Sequence, residues 1–225
     1  MEDLSRAAGD IFIELHETEG ENRFIVPGGT TPCLFYKYLA DKTIDWSQTT
    51  LIVSDERVVE EDSLNSNIGM IRANLLDSIP NDFKPNLIPV VNGFNQTDSI
   101  KILHSLNSNT QSLLPPKAAF LGIGSDGHTA SLFPEFENPV ITDDPFVLVK
   151  RYSESFNRVS ACAKVLCDTP LLVFLVSGIS KKRVIQRLVN PHNSSDSFPV
   201  EKIINHSLGR VIVLCDREAA PQLKS

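Results

Sequence analysis

The sequence predicts an α/β fold in which one mainly parallel sheet carries helices on both faces. Short apolar runs typical of strands alternate with helical patterns along the whole chain. The run at 171–176, LLVFLV, is continuously apolar between Pro170 and Ser177, which is typical of a strand buried on both faces. No repeat, low-complexity tract or linker divides the chain. We therefore predict a single domain over residues 1–225.

The composition is that of an ordinary globular protein, with 41% apolar and 22% charged residues, and it excludes disordered, collagen-like and coiled-coil classes. The net charge of −7 argues against general nucleic-acid binding, which requires a basic face. A small anionic molecule remains a possible ligand, because a few clustered cations overcome a diffuse negative field locally.

The cysteines and the hydropathy pattern indicate a compartment. The four cysteines form neither a C-x-x-C pair nor a metal-type spacing with histidine, so we expect free thiols and no metal. No apolar run reaches the roughly 20 residues that a membrane span requires. The first residues, MEDLSRAAGDIF, carry acids where a signal peptide would be basic and then apolar. We predict a cytoplasmic protein without a membrane partner.

Apolar spacing and capping signals predict the elements of the first half. Apolar side chains three and four residues apart predict a helix over 3–17. Thr31 as N-cap and Pro32 at the first helical position predict the start of a second helix. The remaining predicted elements are strands at 22–26, 50–54 and 87–91, a helix beginning after Ser66-Asn67, and a helix over 99–114 that Pro115-Pro116 ends.

The second half continues the alternation. The predicted elements are strands at 118–121, 146–150, 157–165, 171–176 and 211–215, a short helical segment starting near Thr129, a helix opening at 180–183, a short helix closed by Gly209, and a terminal helical turn at 217–223. We predict that 190–199 is a flexible polar loop.

The stretch 121–134, LGIGSDGHTASLFP, is the central candidate site. It follows a strand, and its glycines let the backbone pass close to a ligand. His128 is a candidate general base or acid, because histidine is the side chain whose ordinary pKa lies nearest neutrality. Asp126 is placed either to hold the His128 ring in one tautomer or to cap the following helix. An ordinary tight turn is the alternative interpretation of the glycines alone.

Three further stretches carry candidate binding residues. In 27–32, PGGTTP, a glycine pair between a strand and a helix start offers backbone N–H groups that suit a phosphate, although an ordinary turn fits as well. Asp55-Glu56-Arg57 follows a strand, and in an α/β sheet the carboxyl ends of strands form the ligand crevice. Lys181 lies in the first turn of a helix, where a cation opposes the helix dipole, and this favours a functional role.

Taken in order, six segments resemble the motif set of the 6-phosphogluconolactonases. They are VPGGTTP at 26–32, SDERV at 54–58 with Ser66-Asn67 downstream, LGIGSDGHTASLFP at 121–134, RVS at 158–160, SGISK at 177–181 and DREAA at 216–220. The resemblance implies a Rossmann-like parallel sheet and hydrolysis of 6-phosphoglucono-δ-lactone to 6-phosphogluconate, in the oxidative pentose phosphate pathway. It implies no cofactor and a sugar-phosphate lactone as the small-molecule partner. Separately, we expect a monomer or weak homo-oligomer.

The resemblance also implies roles for individual residues. His128 takes the proton from the attacking water, and Asp126 orients it. The implied substrate-binding residues are Gly28, Gly29, Thr30, Asp55, Arg57, Arg158 and Lys181. Two departures stand out: Pro27 replaces a serine of the first motif, and Val-Ser-Ala-Cys follows Arg158 where the family has an Ile-Thr-Leu-Thr-like strand.

Three alternatives stay open at this point. A glucosamine-6-phosphate deaminase carries a glutamate in the motif after Asp-Gly-His, and 129–134, TASLFP, has no acid. A serine hydrolase with Ser125 as nucleophile requires glycine where Ile123 stands. A sugar-phosphate-binding protein without catalysis has little need of a neutral-range base such as His128.

Overall fold

The computed structural model describes residues 1–88, 99–135, 142–151, 153–190 and 197–220, with the side chains of 99–102 left out. The strands are β1 Asn22–Val26, β2 Thr49–Val53, β3 Asp55–Arg57, β4 Asn86–Ile88, β5 Ala118–Gly122, β6 Phe146–Val149, β7 Arg158–Ala161, β8 Leu171–Val176 and β9 Arg210–Cys215. The helices are α1 Glu2–Glu17, α2 Cys33–Ala40, α3 Asn67–Asn74, α4 Ser99–Thr110, α5 Ala163–Asp168, α6 Lys182–Val189 and α7 Pro199–His206.

Six strands form a parallel sheet in the order β4-β2-β1-β5-β8-β9, flanked by helices. This confirms the predicted α/β class with a mainly parallel sheet. Strands β2 and β4 are added on one side of β1, and the later strands β5, β8 and β9 are added on the other side, so the strand order reverses at β1. Such a switch point opens a crevice at the carboxyl ends of the strands, where ligands bind in open α/β sheets.

A second sheet of three antiparallel strands, in the order β3-β7-β6, adjoins the first. Ser54 joins the two sheets: its backbone N–H donates to the carbonyl of Val26 at 2.8 Å, and its carbonyl accepts from the N–H of Ala161 at 2.7 Å. The strand predicted at 50–54 is observed one residue earlier, as Thr49–Val53, and the residues after it were not predicted to form a strand. Asp55, Glu56 and Arg57 form a strand of their own.

Phe12 of α1 is the centre of the largest aromatic contact set in the described core. Its ring centroid lies 4.3 Å from Phe24, 6.1 Å from Phe35, 5.5 Å from Trp46 and 5.6 Å from Phe120. These rings come from α1, β1, α2, the loop before β2, and β5, and all are buried. The amphipathic spacing of α1 thus buries its apolar side against the middle of the sheet.

Several predicted boundaries are confirmed and others are wrong. The strands at 22–26 and 171–176 are confirmed. Helix α3 begins at Asn67, one residue earlier than predicted, with Ser66 as N-cap: the Ser66 hydroxyl accepts from the N–H of Gly69 at 3.0 Å. Helix α2 has Pro32, not Thr31, as N-cap, without a side-chain cap. The predicted strand 157–165 ends at Ala161, where α5 replaces it.

No helix follows Thr129, which contradicts the sequence prediction. Its hydroxyl donates to the carbonyl of Gly122 at 3.0 Å, and its backbone forms a bridge with Leu132. The side chain is occupied by the preceding strand, so the segment turns instead of winding into a helix. Asp126 consequently caps no helix.

The other predictions concern ends of elements. Helix α4 ends at Thr110, a 3₁₀ turn at Gln111–Leu113 follows, and α7 ends at His206 before Gly209. Part of the strand predicted at 87–91, most of the loop at 190–199 and the end of the turn at 217–223 lie outside the described residues.

Within the described part, no helix is long and apolar enough to cross a membrane. The single domain over 1–225 stays a prediction.

We predict that Phe12→Ala lowers the free energy of unfolding by about 3–5 kcal/mol, because it removes a fully buried ring that four aromatic side chains contact. Urea denaturation measures the change. Phe83→Ala is the control: this ring is 53% exposed, so the loss should stay within about 0.5 kcal/mol. Equal losses in both variants would contradict the central role of Phe12.

Candidate active site

A pocket of about 210 Å³ lies at the carboxyl ends of β1, β2, β5 and β8. It contains residues from all the motifs that sequence reasoning singled out around these strand ends. The predicted site residues that line it are Gly28, Gly29, Thr30, Asp55, Arg57, His128, Arg158 and Lys181. Asp126 does not line the pocket but contacts His128 from behind. The switch point of the sheet thus brings together segments that are far apart in the chain.

His128 and Asp126 form a close pair. Nδ1 of His128 lies 2.6 Å from Oδ1 of Asp126, and the same oxygen accepts from the His128 backbone N–H at 3.3 Å. Burial raises the pKa of Asp126, but the charge and hydrogen bonds of His128 outweigh it and hold that pKa below its ordinary value. An ionised Asp126 fixes Nδ1 as the protonated ring nitrogen, which leaves Nε2 free to accept a proton.

The tight loop that carries this pair requires two of its glycines. A Cβ on Gly124 would lie 2.1 Å from Nδ1 of His128 and 2.5 Å from Oδ1 of Asp126. Gly127 has φ +79° and lies against the Phe198 ring, so a side chain there would be both strained and blocked. The backbone N–H of Val200 in α7 donates to the carbonyl of Gly127 at 3.0 Å. Helix α7 therefore braces the loop, which sequence reasoning missed.

Phe133 provides the wall beside His128. The two ring centroids are 4.5 Å apart, and Phe133 is buried. Arg151 stacks on Phe133 with its Cζ 3.9 Å from the ring centroid, and it is held in turn by Glu135 at 2.6 Å and Glu154 at 2.9 Å. The imidazole is thus held at its edge by Asp126 and on one side by an immobilised aromatic ring.

The loop after β1 is shaped by its neighbours more than by its own side chains. The Tyr36 hydroxyl donates to the carbonyl of Pro27 at 2.6 Å, and Gly29 has φ +92°. A Cβ on Gly28 would lie 2.0 Å from Cγ of Asn67. Gly28 is therefore required by packing against an amide side chain, a reason that the glycine pair alone does not show.

Arg57 and Lys181 present positive charge to the pocket. Nη1 of Arg57 donates to the Asn65 carbonyl at 2.8 Å, while its buried Nε has no hydrogen-bond partner among the described residues. Burial lowers the pKa of Lys181, and the charge of Asp126 opposes that change. Within the described part of the chain, neither Arg57 nor Lys181 forms an ion pair, so both charges are available to an anion.

The segment before Lys181 is held by Asp216. Its carboxylate accepts from the Ser177 hydroxyl at 2.6 Å, from the N–H of Gly178 at 3.1 Å and from the N–H of Ala219 at 2.9 Å. These bonds hold the pKa of Asp216 below its ordinary value against the opposing effect of burial. The DREAA and SGISK motifs therefore act together: the first anchors the turn that carries Lys181.

Arg158 lines the pocket but is largely occupied by protein groups. Glu154 accepts from its Nε at 2.7 Å and its Nη2 at 3.0 Å, and Oδ2 of Asp55 lies 3.8 Å from Nη1. Asp55 also accepts from the hydroxyls of Ser54 at 2.9 Å and Ser131 at 2.6 Å. This network holds the second sheet against the loop of His128, and it leaves Arg158 with less free charge than Arg57 or Lys181.

Sequence reasoning missed the role of Glu56. This carboxylate is 2% exposed and accepts from the backbone N–H groups of Arg57, Asn67 and Ile68 at 2.7–2.8 Å. Burial raises its pKa, although the N–H groups oppose the change. Glu56 therefore fixes the start of α3 beside the pocket. The sequence Asp55-Glu56-Arg57 does not indicate that the Glu56 side chain is buried.

The serine-hydrolase alternative and the metal-binding capacity of the chain can be compared with this geometry. Ser125 is exposed and does not line the pocket, so it is not placed as a nucleophile. No group of three or more His, Cys, Asp or Glu side chains in the described residues is arranged to hold a metal ion.

The fold and the pocket define an α/β protein whose switch-point pocket places an oriented histidine beside cationic side chains. Comparison with known proteins specifies the family. The family model of glucosamine-6-phosphate isomerases/6-phosphogluconolactonase matches residues 2–213, and the chain belongs to this family. A 6-phosphogluconolactonase of Caulobacter vibrioides is 30% identical over 227 residues, covering 95% of this chain and 93% of that protein.

Solved structures agree on the fold. A 6-phosphogluconolactonase from Leishmania guyanensis superposes with a TM-score of 0.83 at 21% identity, covering 99% of this chain and 96% of the other. A monomeric glucosamine-6-phosphate deaminase superposes with a TM-score of 0.79 at 21% identity, covering 97% and 95%. The predicted family and fold class are confirmed, and the fold alone does not separate lactonase from deaminase.

We predict that Gly124→Ala raises the pKa of Asp126, because the added methyl would overlap both atoms of the Asp126–His128 hydrogen bond and force them apart. Carboxyl-carbon NMR titration of Asp126 measures the change. Gly122→Ala is the matched control, since its Cβ would meet nothing within 4 Å. An unchanged Asp126 pKa in Gly124→Ala would show that the pair is not held in this geometry.

Proposed function

We propose that this protein is a cytoplasmic 6-phosphogluconolactonase that hydrolyses 6-phosphoglucono-δ-lactone to 6-phosphogluconate in the oxidative pentose phosphate pathway, with His128 as general base. The observation that carries the proposal is the Asp126–His128 pair at 2.6 Å, whose histidine lines a pocket together with two cations, Arg57 and Lys181, that form no ion pair in the described part of the chain. Opening a lactone is acyl transfer to water, which requires a base that works near neutral pH and an electropositive environment for the developing negative charge.

In the proposed mechanism, Nε2 of His128 accepts a proton from a water molecule as its oxygen attacks the lactone carbonyl carbon. The carbonyl oxygen becomes an oxyanion, which the cationic side chains of the pocket stabilise. When the tetrahedral intermediate collapses, the bond from the carbonyl carbon to the ring oxygen breaks, and the imidazolium returns its proton to that oxygen. The products are a carboxylic acid, which ionises, and a free hydroxyl group.

Arg57 and Lys181 supply the charge for the phosphate and the oxyanion. Both lack an ionic partner in the described part of the chain, whereas Arg158 shares its charge with Glu154 and Asp55. Arg158 therefore contributes mainly by positioning Asp55 at the wall of the pocket. Gly28, Gly29 and Thr30 line the phosphate end, where backbone N–H groups before α2 are available. Phosphate binding remote from the carbonyl holds the lactone in place for attack.

The lactonase is favoured over the deaminase by the segment that follows His128. Residues 129–134 contain no acid, and the Thr129 and Ser131 hydroxyls donate to the Gly122 carbonyl and the Asp55 carboxylate. The relative that is 30% identical over nearly the whole chain is also a lactonase. The monomeric or weakly oligomeric state stays a prediction.

We predict that His128→Ala lowers kcat by roughly 10²–10⁴-fold, the range typical of a lost general base. The assay follows proton release from freshly generated 6-phosphoglucono-δ-lactone, with the spontaneous rate subtracted. His206→Ala is the control, because His206 is exposed and its Nδ1 hydrogen-bonds the Lys202 carbonyl in its own helix. Near wild-type turnover in His128→Ala would remove His128 from the mechanism, and failure of the wild-type protein to accelerate hydrolysis would overturn the proposed activity.

We predict that Arg57→Met and Lys181→Met each raise KM for the phosphorylated lactone by about 10- to 100-fold, since a hydrogen bond to a charged group contributes about 1.5–3 kcal/mol. Turnover of unphosphorylated glucono-δ-lactone, measured in parallel, should change much less. Arg183→Met, an exposed cation in the same helix region as Lys181, should behave like wild type. Unchanged KM in both site variants would refute the assignment of these cations.

A further inference from the structure

Asn67 is a buried polar residue of the pocket to which the mechanism above gives no role. It is the first residue of α3, it is 2% exposed, and it lines the pocket. Its Nδ2 donates to the backbone carbonyl of Asp55 at 2.7 Å. Because a carbonyl oxygen accepts only from a donor, this bond fixes which end of the amide faces Asp55 and which end is left for other partners.

The remaining end of the amide is an acceptor without a partner. In the part of the chain that the structure describes, no donor bonds Oδ1 of Asn67, and this atom is not sealed from solvent. Asn107 shows the contrasting case: its Nδ2 donates to the Phe146 carbonyl at 3.1 Å, and its Oδ1 accepts from the Phe146 N–H at 2.8 Å. Buried amide groups are normally satisfied at both ends, so an open acceptor at a pocket wall calls for a donor from the ligand.

The position of the amide is rigid. Its flat face packs on Gly28, where a Cβ would come within 2.2 Å of Cγ, Oδ1 and Nδ2. On the other side, Glu56 accepts from the Asn67 backbone N–H at 2.8 Å and fixes the start of α3. Oδ1 is therefore held at the pocket wall by three separate constraints, which makes it suited to selecting a ligand group by position.

The chemistry of an acceptor identifies the ligand group. A phosphate dianion and a lactone carbonyl offer only acceptors, so neither satisfies Oδ1, whereas each hydroxyl of the sugar ring offers a donor. We infer that Asn67 is a specificity-determining residue whose Oδ1 accepts a hydrogen bond from one ring hydroxyl of the substrate. This inference rests on the proposed function, and it adds selection of the hydroxylated sugar to the recognition of phosphate by cations.

The experiment compares 6-phosphoglucono-δ-lactone with its 2-, 3- and 4-deoxy analogues by proton release, in the wild-type protein and in Asn67→Leu. One analogue should lose about 10- to 100-fold in kcat/KM with the wild-type protein, since an unpaired buried group costs about 1–3 kcal/mol. Asn67→Leu should lower kcat/KM for the full lactone by a similar factor, in addition to any loss that the variant shows on all substrates. For the deoxy analogue that the wild-type protein turns over poorly, Asn67→Leu should cause only the loss shared by all substrates, because the hydroxyl that would bond Asn67 is already missing.

Two controls separate specificity from structure. Asn107→Leu removes two hydrogen bonds to the backbone of Phe146 away from the pocket, so it should lower stability without changing the ratio of full to deoxy substrate. If Asn67→Leu does not fold, Asn67→Ala removes the acceptor with a smaller side chain. The wild-type series with the analogues requires no variant at all.

The outcomes distinguish the inference from the proposed function. Wild-type turnover of all three deoxy analogues at the rate of the full lactone would overturn the role of Asn67, and so would an equal loss on all four substrates in the folded variants. No acceleration of the full lactone by the wild-type protein would overturn the proposed function, and this inference with it.

Discussion

The backbone hydrogen bonds of Ser54 are the constraint on which the pocket depends. Its N–H donates to Val26 at the end of β1, and its carbonyl accepts from Ala161 at the end of β7. The chain therefore leaves the parallel sheet and enters the antiparallel one within a single residue. This places Asp55 and Arg57 at the wall of the crevice, with Glu56 between them pointing into the protein, because side chains alternate along a strand.

Because side chains alternate along β3, its three adjacent charged residues make different contacts. Asp55 accepts from Ser54 and Ser131 and so connects the second sheet to the loop of His128. Glu56 accepts from the first N–H groups of α3, where the helix dipole favours a negative charge. Arg57 turns back toward the crevice. A shift of one residue in this strand would exchange the buried and pocket positions, so the register set at Ser54 is a requirement of the site.

Sequence reasoning predicted the parts of the molecule that depend on local pattern. The strands at 22–26 and 171–176 were predicted to the residue. For 171–176 the reason is a continuous apolar run between turn residues, which is typical of a buried strand. Most pocket residues were found because they follow strands, and parallel strands end at the same edge. Arg158, which begins β7, was proposed only from the family resemblance. The family resemblance supplied the roles that pattern alone left open, including the choice between a tight turn and a catalytic loop at 121–134.

The rest depends on contacts between distant residues, which local pattern does not contain. The helix predicted from Thr129 is absent because its hydroxyl bonds Gly122, seven residues earlier. The charge of Arg158 is shared because Glu154 and Asp55 reach it from two sides, and the sequence shows neither pairing. The net charge of −7 likewise gives no indication of a positive pocket. Among the described residues that line the pocket, Arg57, Arg158 and Lys181 carry positive charge and Asp55 is the acid. Glu154 and Asp55 engage Arg158, which leaves Arg57 and Lys181 as the cations facing the crevice without an ion pair in the described part of the chain.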